Sequence, residues 1–305
     1  MKRQPRPPRP RPLPANSHTR LRVSPTKLIL SRKGFDSAHG GCPSPILDDN
    51  LLCSLPIPDD RSPTTYRNIS FNGSRVAKIV ESLTRGRIAG TDGAHLDPDL
   101  RRDAIQRARG WRPIFGQAGA AQSHLARHQV GPGDLFLFFG SFRRAEERGN
   151  AIRFVKSAPK LHVIFGYLQV AEVRPVVDAL ATEIPWAKGH PHLSKPDRYQ
   201  SNTLYVASKR LTSLDLDSPG AGIFNQLRPE LTLTETDPYT GCATWTLPRW
   251  IHPGKRTPLS YHSKPNRWTK SATSVRIRSA YPGQEFVLDL DEYPEAHDWL
   301  RKIFG

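Results

Sequence analysis

One segment narrows the possible folds more than any other. In "VGPGDLFLFFGSF", residues 130–142, a Gly-Pro-Gly-Asp turn feeds five consecutive apolar residues, Leu135 to Phe139. A strand that is apolar at successive positions has no face to give to water, so it belongs inside a sheet covered on both sides. A second strand-rich segment follows in "KLHVIFGYLQVAEV", residues 160–173, and a third in "NTLYVASKRL", residues 202–211. Alternation returns between Ile223 and Leu247, and "SVRIRSA" with "QEFVLDL" reads as a final pair turning at Pro282-Gly283. Lys27 to Leu30 reads as the first strand, and "ILDDNLLCSLPI" as a hairpin turning on Asp48 to Asn50.

Helices are fewer. Val76, Ile79, Val80 and Leu83 have helical spacing within Arg75–Thr84, and so do Ala296, Leu300, Ile303 and Phe304 near the end. Gly119 to His128 reads as another. "DPDLRRDAIQRAR", residues 97–109, carries a helix-start signature, with Asp97 as cap, Pro98 in the first turn and Asp99 complementing the dipole. The expected fold is a β-rich α+β single domain over residues 26–305, with short peripheral helices and a disordered basic tail over residues 1–25.

Charge is the strongest global signal. Of 305 residues, 45 are Lys or Arg and 28 are Asp or Glu, a formal net charge of +17. Residues 1–33 hold ten of the basic side chains and no acid, and the other residues carry 35 basic against 28 acidic, so the body is basic in its own right. A polyanion is the expected partner, because each neutralised phosphate releases counterions. The first 25 residues alternate arginine with proline and have almost nothing to bury, which suits a cationic tether. The three cysteines (Cys42, Cys53, Cys242) form no C-x-x-C pair and none stands at zinc spacing. They support neither a disulfide framework nor a structural zinc, and point to a reducing, cytoplasmic setting. No apolar run reaches membrane-spanning length, so a membrane partner is not expected. A P-loop, a dinucleotide glycine fingerprint, a G-x-S-x-G elbow and a deaminase H-x-E with P-C-x-x-C are all missing, which argues against ATP hydrolysis, nicotinamide chemistry and zinc deamination.

Four groups of residues could carry chemistry. In "LILSRKGFDSAHGGCPSPIL", residues 28–47, Arg32, Lys33 and Asp36 stand with Ser31 and Ser37 beside Gly34. A turn at Gly34 would put Arg32 and Asp36 on one side. Arg32 would then grip a phosphate or base edge, with Lys33 as a point charge, Ser31 and Ser37 as phosphate hydrogen-bond groups, and Asp36 orienting the substrate or acting as base. The alternative is an Arg–Asp pair that merely fixes a loop. In "GTDGAHLDPDL", residues 90–100, a histidine with nearby carboxylates can do general acid/base work or contribute to a divalent metal site; His95 and Asp92 are the catalytic candidates, whereas Asp97 and Asp99 read as capping residues. His124 and His128 lie one helical turn apart but lack an intervening glutamate, and the loop histidines of "GHPHLS" could accept a base or phosphate. No metal set is read from these. In "WTLPRWIHPGKRTPLSYHSKPNRWTK", residues 245–270, aromatic and basic residues interleave, and Trp250, Tyr261, Arg267 and Trp268 are candidates for base stacking and backbone contact.

The Gly131–Asp134 turn, the strand after it and "IFGYLQVAEV" resemble the pattern of PUA-like barrels of the ASCH and EVE groups over residues 130–210. The ASCH G-x-K-x-x-E-x-R signature is missing, so no activity carries over from it. A longer series is similar to the third nucleotide-modification-associated domain family of bacteria and phages: "SRKGFDSAHGGCPSPIL", "SLPIPDD", "HLDPDL", "GDLFLFFGSFR", "HVIFGYLQV", "LTLTETDP", "WTLPRW" and "GQEFVLDLDEYPEAHDWL". That resemblance implies a role in producing or handling modified nucleic-acid bases and no known reaction; the leading expectation is a protein that binds, and acts on, modified bases or nucleotides, with nucleic acid (DNA ahead of RNA) or free nucleotides as partner. The alternative is a non-catalytic, PUA-like reader of modified bases, and a third reading is a toxin or defence protein concentrated on nucleic acid by its tail. Neither the residues nor the resemblance names a cofactor, a base or an oligomeric state.

Overall fold

The computed structural model describes residues 26–194, 200–212, 214, 216–235, 241–280 and 285–305. The Arg/Pro-rich tail and the Pro282-Gly283 turn lie outside the described residues. The fold is mixed α/β and β-rich. Its centre is the expected strand, which runs on from the apolar pentad to cover Leu135–Arg148. All five residues from Leu135 to Phe139 are fully buried, and each contributes about 1.5–3 kcal/mol relative to exposure.

Along its main path the large sheet runs in the order Glu285–Asp289, Lys27–Arg32, Leu135–Arg148, Lys160–Pro175, Thr203–Ala207, Ile114–Gln117. The first strand lies parallel to the central one, with Leu28 opposite Leu135 and Arg32 opposite Phe139, and antiparallel to Glu285–Asp289. Leu28 to Leu30 therefore read as continuously apolar for the same reason as the pentad. The two longest strands pair antiparallel, with a register shift between Ile164 and Gly166. A separate three-stranded sheet holds Thr244–Pro248, Ser274–Arg278 and Trp268–Lys270.

Three helices fall where they are expected: Val76–Thr84 and Ala296–Phe304, on their apolar spacing, and Gly119–Arg127. No helix among the described residues is long and apolar enough to cross a membrane. Beside the main core lie two smaller ones. One gathers Phe35, Tyr66, Ile79 and Val80, and the other Ile114, Leu193 and Leu204.

Three expectations are corrected. Residues 97–109 form turns rather than a helix, because their side chains take partners that helical spacing would not bring together. Asp99 is held bidentately by Arg107 at 2.6 and 2.5 Å and by Trp111 Nε1 at 3.3 Å, and Leu100 enters the main core. "SVRIRSA" does not pair with "QEFVLDL": the former joins the three-stranded sheet, and the latter flanks the first strand of the main sheet. Residues 130–210 do supply long antiparallel strands, but the sheets are open and no closed barrel occurs among the described residues.

Candidate functional site

The first strand leaves the main sheet after Arg32. Lys33 still donates its amide to Phe139 O at 2.8 Å, and then Gly34 turns the chain with φ +82°. A Cβ at 34 would stand 3.1 Å from both Leu55 O and Ser54 Oγ, a tight fit added to a backbone conformation that favours glycine. Phe35 then plunges into the second core, fully buried, while Asp36 closes the loop. Asp36 Oδ1 accepts from the Ala38 and His39 amides at 2.8 and 2.7 Å.

The turn puts Arg32 and Asp36 on one cleft of about 630 Å³, together with Lys33, His39, Asp59, His95, Asp97, Gln117 and His192. Cavities of this size take nucleotide-sized ligands. Four elements supply the wall opposite Arg32. Ile57–Pro58 pairs antiparallel with Ala94–His95, with Ile57 opposite His95. Gly93 lets the two segments approach, since a Cβ there would lie 2.0 Å from Asp59 O. Alternation then brings His95 and Asp97 to the same side. The edge strand Ile114–Gln117 and the short helix Pro191–Ser194 complete the wall.

Here the sequence reading missed most. His95, Asp97 and His192 each bring one donor atom to a common point, all within 4.8 Å of one another. Each is held from behind. His95 Nδ1 lies 3.0 Å from Asp59 Oδ2. His192 Nδ1 donates to Asn202 Oδ1 at 2.6 Å, and Asn202 Nδ2 donates back to His192 O at 2.9 Å, which fixes both the amide orientation and the tautomer. Asp97 Oδ1 accepts from the Gly116 amide at 2.8 Å and lies 3.2 Å from His190 Nε2, while Oδ2 faces His192 Nε2 at 3.8 Å. Gly116 is also a packing requirement, because a Cβ would come within 2.4 Å of the His192 ring.

Burial alone would raise the Asp97 carboxyl. The His190 hydrogen bond and the nearby histidine charges outweigh it and hold the group down to about 2, so Asp97 is ionised. Burial lowers His192 to about 4 against the pull of Asp97, leaving a neutral imidazole at pH 7. The only prior signals for this cluster were the H-x-D spacing of His95 and Asp97 and the paired histidines of "GHPHLS".

The other candidates sit elsewhere. Asp92 does not line the cleft: its Oδ2 accepts from the Ala89 amide at 2.9 Å and closes a turn. Ser31 is fully buried and donates to Glu285 Oε1 at 3.1 Å. Lys33 lines the cleft, but its ammonium reaches Glu285 Oε1 at 2.9 Å and lies 4.6 Å from the centre of the Phe115 ring. Ser37 lines an adjoining recess of about 280 Å³ with Arg32, Asp36, Lys160 and His162. The aromatic candidates do not reach the cleft at all. Trp250 packs on Tyr293 and Trp299, Trp268 is buried with Nε1 donating to His262 O at 2.7 Å, and Arg267 donates to Arg278 O at 3.1 Å. Tyr261 is exposed and stacks on His124 at 4.3 Å.

The molecule is thus a β-rich α/β protein whose cleft gathers two cations, three carboxylates and several histidines where the first strand leaves the main sheet. The family model described as nucleotide modification associated domain 3 matches residues 27–289, and the chain belongs to that family. No curated protein and no solved structure matches the chain.

Proposed function

We propose that this protein binds a nucleotide, or a base turned out of a DNA strand, in the Arg32–His95 cleft and modifies it there. The observation that carries the reading is the meeting, in one cleft, of Arg32 and Asp36 from one turn with His95, Asp97 and His192. It occurs in a chain whose family is named for nucleotide modification. Arg32 takes a phosphate or a base edge, with Lys33 adding positive field, and Asp36 orients the ligand. The His95–Asp97–His192 cluster supplies the reactive groups, and Ser37 with the recess behind Arg32 leaves room for a further phosphate.

The non-catalytic reader is less well supported. Stacking on Trp, Tyr or Phe would be a reader's usual grip, and no such ring lines this cleft among the described residues, whereas the carboxylates and imidazoles gathered there are groups that chemistry uses. The test is nucleoside mass spectrometry of DNA and nucleotide pools from cells with the gene, without it, and with Arg32→Ala or His95→Ala. A nucleoside that appears or vanishes with the wild-type gene, and not with either variant, is the expected result. Identical profiles in all four, with selective retention of a modified oligonucleotide by the purified protein, would replace the enzyme with the reader.

A further inference from the structure

We infer that His95, Asp97 and His192 form a binding site for one divalent first-row transition-metal ion, open to the cleft. The inference goes beyond the substrate reading and stands whether or not the cleft takes a nucleotide. It turns His95 from a proton carrier into a ligand.

Three features of the structure support it. The first is composition and reach. Two imidazoles and one carboxylate suit Fe, Mn, Co, Ni or Zn rather than Mg or Ca, and two histidines with one carboxylate form a recurrent three-ligand set that leaves positions for water or substrate. Such ions hold their donors at about 2.0–2.2 Å, so donors sharing one ion stand roughly 3–4 Å apart. The gathered atoms lie within 4.8 Å, so small side-chain rotations close the set.

The second is support from behind. Metal-binding histidines characteristically give their other ring N–H to a carboxylate or carbonyl, which fixes the ring. His95 does this with Asp59 and His192 with Asn202. Nε2 is then the nitrogen that each would offer. Asp97 is likewise oriented through Oδ1 by Gly116 and His190, which turns Oδ2 to His192 Nε2. At 3.8 Å that last pair is too long for a hydrogen bond and suits two donors on one ion.

The third is placement. The side chains of Asp97 and His192 are 4% and 5% exposed and that of His95 is 13% exposed, and all three line the cleft. The ion would be shielded on the protein side and reachable from the other. A purely structural cluster has no need of that opening.

The test is titration of the chelator-treated full-length chain with Co²⁺, followed by visible absorption and calorimetry. One ion should bind per chain, and millimolar Mg²⁺ should not displace it. His95→Gln and His192→Gln should each lose this binding while keeping the wild-type circular dichroism. Asp59→Asn, which touches no ion, should weaken affinity about 10- to 100-fold. His128→Ala, outside the cleft, should bind as wild type does. Wild-type affinity retained in both His→Gln variants would overturn the site, as would no saturable binding by the wild type. Either failure leaves the substrate reading intact, because that one is read from nucleosides and Arg32→Ala.

Discussion

His162 shows how a single buried side chain ties stability to pH. It is 4% exposed, and its Nδ1 accepts the indole N–H of Trp245 at 2.9 Å. Burial, with a smaller push from Arg32 and against Asp36, holds it down to about 3. The unfolded chain, with an ordinary histidine near 6.5, therefore takes up the proton first. This group's contribution to stability is complete above about pH 6.5 and drains away as pH falls toward 3. Denaturant unfolding should show the wild type losing about 2 kcal/mol through this residue between pH 7 and pH 5. His162→Gln should lack that increment, whatever its stability at pH 7. Parallel pH curves for the two proteins would refute the assignment.

At the scale of elements, the first strand is tied to its neighbours by a buried polar knot as well as by the ladder. Glu285 Oε1 accepts from Ser31, from Lys33 and from Gln117 Nε2. Burial pushes the Glu285 carboxyl up, and those donors, Lys33 foremost, act against it. The side chains of Lys33 and Glu285 are 11% and 1% exposed. Removing one charge of such a pair strands the other, at a cost of about 3–5 kcal/mol, whereas an apolar pair of similar volume is often neutral. Lys33→Met alone and Glu285→Leu alone should each destabilise strongly, and the double variant should recover most of the loss. Additive losses in chemical denaturation would show that the pair is not coupled.

The same scale shows why part of the sequence reading went astray. The helix expected over 97–109 rested on local signals that compete with tertiary ones. Asp97 has Gly116 and His190 available, and Asp99 has Arg107 and Trp111, so neither caps a helix. By contrast, the helix Val76–Thr84 was legible because its apolar face meets a core directly. The edge position of Glu285–Asp289 was not, because its unbroken apolar run says that both faces are covered but not which strand lies beside it.

For the whole molecule, the proposed binding to nucleic acid would divide between tail and body. Residues 1–25 carry seven of the 45 basic side chains, so a chain without them keeps a formal charge of +10, the +17 of the whole less seven. Affinity for plain duplex DNA should fall linearly on a log–log plot against salt. The slope measures about 0.9 per phosphate neutralised. Deleting residues 1–25 should make it shallower without abolishing any preference for a modified oligonucleotide. Loss of all binding on deletion, with equal retention of plain and modified DNA beforehand, would leave the tail as the sole contact.

What the sequence by itself determined is what depends on neighbours in the chain: the buried central strand and the amphipathic helices. These follow from side-chain period, whereas Gly34 permitted a turn without dictating one. The family followed from the order of short blocks along the chain. Only the tertiary structure decided the cleft's chemistry. His192 meets His95 and Asp97 from almost a hundred residues away because Gly116 leaves room for its ring and Asn202 fixes it. Asp97 and Asp99, local equals in sequence, part company in space. One turns into the cleft and the other is locked to Arg107, because Gly116 and His190 reach only the first and the turns of residues 97–109 bring Arg107 to the second, and no local pattern encodes that choice.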